Sequence, residues 1–160
     1  MWEAIDAAST KPFGFLRFTP GPGAGGHCLP VDPSYLSWRV RRRLGQSFRF
    51  VELANDVNDH MPDYVVRRVM VALNREQRAL SGSRVLLLGL AYKRNAGDDH
   101  VDARVVRVEA TADEIAAADA VLLLVDHDAF DLDLVAANAR YVFDSRHRVP
   151  DDGAARVEYL

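Results

Sequence analysis

The chain has 160 residues, 49% of them hydrophobic and 27% charged, with a formal net charge of -3; this is the balance of a globular protein and excludes a disordered chain. No stretch reaches the roughly 18 consecutive apolar residues of a spanning helix, and the opening MWEAIDAAST has neither the basic start nor the apolar centre of a secretion signal, so a cytoplasmic location with no membrane partner is expected. A single cysteine, Cys28, cannot make an intrachain disulfide, and five histidines at no ligand spacing argue against a structural metal.

The net charge hides an asymmetry. Residues 1–80 carry 11 Lys and Arg against 8 Asp and Glu, whereas residues 81–160 carry 9 against 15. The densest basic run, Arg39 with Arg41, Arg42 and Arg43, lacks interleaved aromatics and sits in an acidic chain. It reads as a solvated or subunit-facing helix surface, and nucleic acid is not an expected partner.

Residues 3–8 read as a short helix. The following KPFGFLRFTPGPGAGGHCLP is so rich in proline and glycine that regular structure is forbidden over about a dozen positions, which makes it a shaped loop. A helix is expected next, with Asp32 as N-cap, Pro33 at the first helical position and Gly45 as its end. In RFVELANDVNDHM, Phe50, Leu53, Ala54 and Val57 recur at spacings of three and four and predict a helix with one buried stripe. After Pro62 the pattern repeats with Val65, Val69, Ala72 and Leu73, and Ser81-Gly82-Ser83 closes it.

The period then changes. RVLLLGLAY and AVLLLV (residues 120–125) are short, continuous apolar runs, as expected of strands buried on both faces of a parallel sheet. TADEIAAADA and DLDLVAANA read as helices and YVFD as a third strand, while ARVVRV, within the polar connection from Asn95 to Val108, is able to form a marginal edge strand. The fold class is therefore α/β: a helical part over residues 1–82, then a small parallel sheet over residues 83–160.

Gly21, Gly23 and Gly26 spell G-x-G-x-x-G, but a dinucleotide fingerprint needs a buried strand before it and a helix opening at its third glycine. Here FLRFT is short and mixed, Pro22 interrupts the turn, and Cys28-Leu29-Pro30 follow. The glycines are better explained as thinning the chain so that a bulky ligand can lie against its backbone; an ordinary surface loop is the alternative. Cys28 lies between this loop and a helix N-terminus, where unpaired amides favour a thiolate nucleophile. The competing explanation is a small buried hydrophobe.

The segments IDAASTKPFGFLRFTPGPGAGGHCLPVDPSYLSWRVR, RFVELANDVNDHMPDYVV, VLLLGLAYKRN and VDHDAFDL resemble the nucleotide-sugar 6-dehydrogenases of the UDP-glucose/GDP-mannose dehydrogenase family, above all those acting on UDP-N-acetylglucosamine, UDP-N-acetylmannosamine or UDP-glucose. The resemblance implies an NAD-binding N-terminal domain not contained in this chain, a helical central domain forming a homodimer through residues 48–80, and a C-terminal, Rossmann-like UDP-binding domain. It implies that Cys28 attacks the aldehyde formed at C6 of the sugar, giving a thiohemiacetal and then a thioester, and that Asp32 positions or deprotonates water. Substrate contacts carry over to the loop from Phe18 and Thr19 through Gly21, Gly23 and Gly25, and to Tyr92, Lys93 and Arg146. Leu29, Pro30 and Val31, beside the cysteine, would face NAD.

Three departures accompany the resemblance. The chain opens inside the helix that precedes the family's catalytic loop, so hydride transfer would need a separate NAD-binding half. Where the family has Asp-x-Arg-Glu-Ser-Pro, this sequence reads Asp99-His100-Val101-Asp102-Ala103-Arg104, leaving Val101 in place of a cofactor-reaching arginine, with Arg104 the nearest that could substitute. The stretch from Lys93 to Ala120 is short by about one helix and one strand, which would expose sheet edge. The leading expectation is part of an NAD-dependent UDP-sugar 6-dehydrogenase of polysaccharide precursor synthesis. The alternative is a noncatalytic UDP-sugar-binding or oligomerising module. A cysteine hydrolase is poorly supported, because His27 is merely the sequence neighbour of Cys28.

Overall fold

The computed structural model describes residues 1–26, 28–29, 31–97 and 102–160. Helix α1 (Trp2–Ser9) opens the chain, and residues 10–26 carry neither helix nor strand. Helix α2 (Asp32–Leu44) ends at Gly45 in the left-handed region at φ 67°, where the glycine N–H donates to the Arg41 carbonyl. Its start differs from expectation. Val31 is the N-cap, Asp32 is the first helical residue and its carboxylate caps nothing. The reason is local: the Asp32 N–H donates to the Cys28 carbonyl at 2.8 Å, which draws Asp32 into the turn.

Helices α3 (Arg49–Asp59) and α4 (Met61–Arg75) follow, joined through His60. The stripe on α4, Val65, Val69, Ala72 and Leu73, is buried as its spacing predicts. The stripe on α3 is not, since Phe50 is 84% exposed and Leu53 and Val57 are more than half exposed. It is the polar side of α3 that meets α2: Glu52 accepts from Ser37 Oγ at 3.3 Å and pairs with Arg41, and Asn55 Nδ2 donates to Ser34 Oγ at 2.9 Å. With its polar face engaged, α3 turns its apolar face outward.

Strands β1 (Val85–Leu88), β2 (Ala120–Leu123), β3 (Tyr141–Asp144) and β4 (Arg156–Tyr159) form one parallel sheet in sequence order. The alternation of side chains sorts the core into two layers. Val121, Leu123 and Val142 pack with α5 (Ala112–Ala117) and α6 (Leu132–Asn138), while Ala120, Leu122, Tyr141 and Phe143 pack against α4. Both short helices are capped from their sequence, Thr111 accepting the Glu114 N–H and Asp131 the Leu134 N–H.

Two further differences concern strands. The final strand β4 was not expected, and ARVVRV is not a strand: residues 102–108 pair with no strand and Val106 is exposed. Strand β2 lies directly beside β1. The exits of β1 and β2 touch, because Gly89, at φ 82°, presses its backbone against the Val125 carbonyl so closely that a Cβ would overlap it. Beyond these exits, Asn95 binds the 127–128 loop through His127 Nδ1 (2.8 Å), Asp128 Oδ2 (2.6 Å) and the Asp128 N–H (3.0 Å).

Among the described residues no helix is long and apolar enough to cross a membrane.

Candidate functional site at the carboxyl ends of the strands

The glycine-rich loop lies over the carboxyl ends of β1 and β3, the place where open parallel sheets hold ligands. Three side chains support it. Arg146, after β3, lies beneath Gly21, where a Cβ would stand 2.6 Å from Nη1. Tyr92, after β1, lies beneath Gly25 and Gly26, with a Cβ at Gly25 falling 2.8 Å from the tyrosine Cβ. Asn58, on α3, accepts the Ala24 N–H at 2.5 Å and returns a longer bond of 3.4 Å to the Ala24 carbonyl. Gly21 and Gly25 thus make room for protein side chains.

Arg146 is fixed from below by a buried carboxylate. Asp144, at the end of β3, is fully buried and accepts the N–H groups of Arg146 (2.7 Å), Arg148 (2.6 Å) and Val149 (2.6 Å). These bonds curl the chain after β3, and Arg146 Nε donates to the Leu124 carbonyl at 2.7 Å. Burial pushes the Arg146 guanidinium below its ordinary pKa, while the Asp126 and Asp144 carboxylates oppose the shift. No carboxylate among the described residues forms an ion pair with it. A half-buried cation with no ion-pair partner among the described residues can bind an anion.

Thr19, Gly21, Gly23, Gly25, Tyr92 and Arg146 line one cavity of about 590 Å³. Its opposite wall is the outward face of α3: Phe50, Leu53, Ala54, Val57 and Asn58, with Met61 beyond. A second cavity of about 580 Å³ shares Gly23, Gly25, Tyr92 and Arg146 with the first and runs over the exits of β1 and β2, with mostly apolar walls such as Leu90, Leu124 and Val65. Nothing in the sequence singles out the α3 wall as a site. The only signal there is the apolar stripe itself, which spacing alone assigns to a core.

The other expected site residues fall differently. Phe18 and Lys93 are exposed and line neither cavity. Cys28 is exposed at the mouth of α2, its carbonyl accepting the N–H groups of Val31 and Asp32; it is its neighbour Leu29 that reaches the first cavity. Asp32 and Val31 are exposed. Arg104 is engaged by Asp102 through Nε (2.9 Å) and Nη2 (2.8 Å), and the guanidinium lowers the Asp102 pKa to about 2. Pro30, His27, Asp99, His100 and Val101 lie outside the described residues.

The glycine loop does not have the form of a dinucleotide fingerprint among the described residues. No strand runs into Gly21 among the described residues and no helix opens at Gly26, so a dinucleotide pyrophosphate would meet no helix N-terminus there. Leu29 and Val31 offer it exposed apolar surface only.

A parallel α/β sheet with a cavity at the carboxyl ends of its strands has the architecture in which open sheets hold ligands. The central-domain model of the UDP-glucose/GDP-mannose dehydrogenase family matches residues 1–60. The chain is similar to UDP-N-acetyl-D-mannosamine dehydrogenase of Methanococcus maripaludis, 27% identical over 154 residues, which is 81% of this chain and 34% of the relative. It is 35% identical over 96 residues to UDP-N-acetyl-D-glucosamine 6-dehydrogenase of Pseudomonas aeruginosa, covering 60% of this chain and 22% of the relative. The solved structure of an NDP-N-acetyl-D-galactosaminuronic acid dehydrogenase from Methanosarcina mazei shares the fold with a TM-score of 0.73 at 22% identity, covering 99% of this chain and 43% of that one. The chain thus spans 22% to 34% of the length of these two curated relatives.

Proposed function

We propose that this chain is the substrate-binding and nucleophile-bearing part of a UDP-sugar 6-dehydrogenase. The observation that carries this reading is the meeting of six residues from three distant segments, Thr19, Gly21, Gly23, Gly25, Tyr92 and Arg146, around one cavity. In this reading residues 1–82 supply the cysteine loop and the dimerising helices, and residues 83–160 the UDP-binding sheet. Arg146 neutralises the diphosphate, and its partial burial strengthens that attraction. The protein acts in the cytoplasm, as a homodimer through residues 48–80.

The chemistry assigned to Cys28 is covalent. Its thiolate sulfur adds to the aldehyde carbon at C6, the carbonyl electron pair moves to oxygen, and that oxygen takes a proton, giving a thiohemiacetal. NAD is the oxidant the family resemblance implies for the alcohol and thiohemiacetal oxidations. Hydrolysis of the resulting thioester adds water to the acyl carbon, with Asp32 receiving the proton, and releases the carboxylate and the thiolate.

A second reading is favoured by one observation: Cys28 is exposed and stands outside the cavity lining. In that reading the chain binds a UDP-sugar without reacting. The rate of Cys28 alkylation separates the two. Alkylation faster than that of a free thiol at neutral pH, slowed by a UDP-sugar, supports the enzyme. Protection against heat by UDP with ordinary thiol reactivity supports the binding module, and the absence of any UDP effect overturns both.

A further inference from the structure

At its centre the loop that covers the cavity is flanked by hollows. Ala24 borders the 590 Å³ cavity on one side and a separate hollow of about 380 Å³ on the other, the latter lined by Leu29, Phe50, Ala54 and Asn58. Gly21 rests on Arg146 and Gly25 on Tyr92, and between them a Cβ at Gly23 would meet Asn58 at 3.6 Å and the Met61 Cβ at 4.0 Å. Among the described residues, Asn58 is the one whose side chain bonds Ala24. Its Oδ1 accepts the Ala24 N–H at 2.5 Å, its Nδ2 donates to the Ala24 carbonyl, and Gly23 lies over it, with the position of a Cβ there 3.6 Å from Oδ1.

We infer that Asn58 is a positioning residue: by holding both backbone groups of Ala24 it keeps the glycine loop in the one conformation that admits the anionic ligand. The inference rests on the nucleotide-sugar reading for the identity of that ligand and goes beyond it in assigning the loop's conformation to α3. A primary amide suits the task, because only a group with an acceptor and a donor side by side can satisfy an N–H and a C=O of the same residue. Gly23, at φ 134°, and Gly26, at φ 112°, flank Ala24 in a backbone region that favours glycine. Without the strut, the competent loop conformation becomes one of several, and the apparent affinity falls by the fraction that remains competent.

The test uses the full chain with UDP as the probe. Asn58→Leu removes both bonds at similar volume, and UDP should bind about tenfold more weakly, with the loss in the association rate and little change in dissociation. The thermal midpoint without ligand should stay close to that of the parent, since Asn58 is only half-buried. Hydrogen exchange at the Ala24 amide gives a readout that needs no ligand: protected in the parent, unprotected in Asn58→Leu, and protected again in Asn58→Asp, which keeps the acceptor and loses the donor. Unchanged affinity in Asn58→Leu, or an Ala24 amide equally protected in parent and variant, overturns the inference. If the parent fails to bind UDP while Ala24 protection follows the variants, the ligand reading falls and the strut stands; if Asn58→Leu does not fold, Asn58→Asp decides by its exchange alone, loss of protection counting against the strut.

Discussion

Gly21 and Arg146 are in contact with no room between them: a Cβ on residue 21 would lie 2.6 Å from Nη1 and 3.2 Å from Cζ of the guanidinium. The obstructing atoms are the far end of a long side chain, so a methyl at residue 21 displaces the arginine and leaves the fold intact. Gly21→Ala is expected to change stability by less than about 1 kcal/mol while weakening UDP binding. Arg146→Ala should weaken it by about tenfold or more, because it removes the charge-assisted bonds themselves. Calorimetric titration beside thermal denaturation measures both. A Gly21→Ala protein that binds UDP as the parent does would show that the arginine's position is irrelevant to the ligand.

Gly89 and Gly45 have similar backbones and opposite surroundings, which separates two costs. Both sit at positive φ, 82° and 67°. A Cβ at Gly45 meets nothing within 4 Å, whereas one at Gly89 overlaps the Val125 carbonyl. Gly45→Ala should therefore cost only the left-handed penalty, about 1 kcal/mol. Gly89→Ala adds a backbone collision that neither strand can relieve, for a total of about 3 kcal/mol or more. Urea denaturation of the two variants reads the difference, and equal costs would mean that the strand exits are not in contact.

Strands β1, β2 and β3 were legible because each is a continuous apolar run between turn residues, the pattern of a strand covered on both faces. Strand β4 was not, because its Arg156 and Glu158 read as surface. Their partners are tertiary: Glu158 pairs with Arg68 on α4 and Arg156 stacks over the Tyr141 ring. The α3 helix was legible and its burial was not, since periodicity fixes which residues share a face but not what covers that face. In the site, the glycine loop, Tyr92 and Arg146 were found through their resemblance to a family motif. Asn58 was missed because a polar residue near a helix end has no local mark of a bond made to a residue 34 positions earlier.

Phe50 gives the oligomeric expectation a specific handle. Its ring is almost wholly exposed at the start of α3, beside Leu53 and Val57 on the same face, and an apolar face of this kind is costly in water unless covered. If the proposed homodimer uses residues 48–80, Phe50→Glu should weaken its association at least about tenfold, with one buried aromatic lost and one charge introduced. Sedimentation at micromolar concentration reports the outcome. A parent chain that is monomeric there rules out this interface whatever the variant does.

His60 links α3 to α4 and confers a dependence on pH near neutrality. Its Nδ1 lies 2.7 Å from the Asp56 carbonyl oxygen and 3.5 Å from the Asp56 carboxylate. The bond to that carbonyl, then the Asp56 charge, raise the imidazole pKa above 6.5, with smaller contributions from Asp63 and Asp59. Because the folded value exceeds the unfolded one, the stabilisation is fully present below the unfolded pKa and is lost as pH rises through the raised folded value. Asp128 behaves with the opposite sign. Its carboxyl is lowered first by the Asn95 hydrogen bond and then by Arg94, so its contribution is present above the unfolded pKa of about 3.9 and lost as pH falls through the folded value. Substituting His60→Gln should flatten the loss of stability as pH rises above the ordinary histidine value and leave the acid limb unchanged. An NMR titration of the His60 ring in the parent checks the premise directly: a midpoint at or below the ordinary histidine value would mean that Asp56 does not hold the imidazolium.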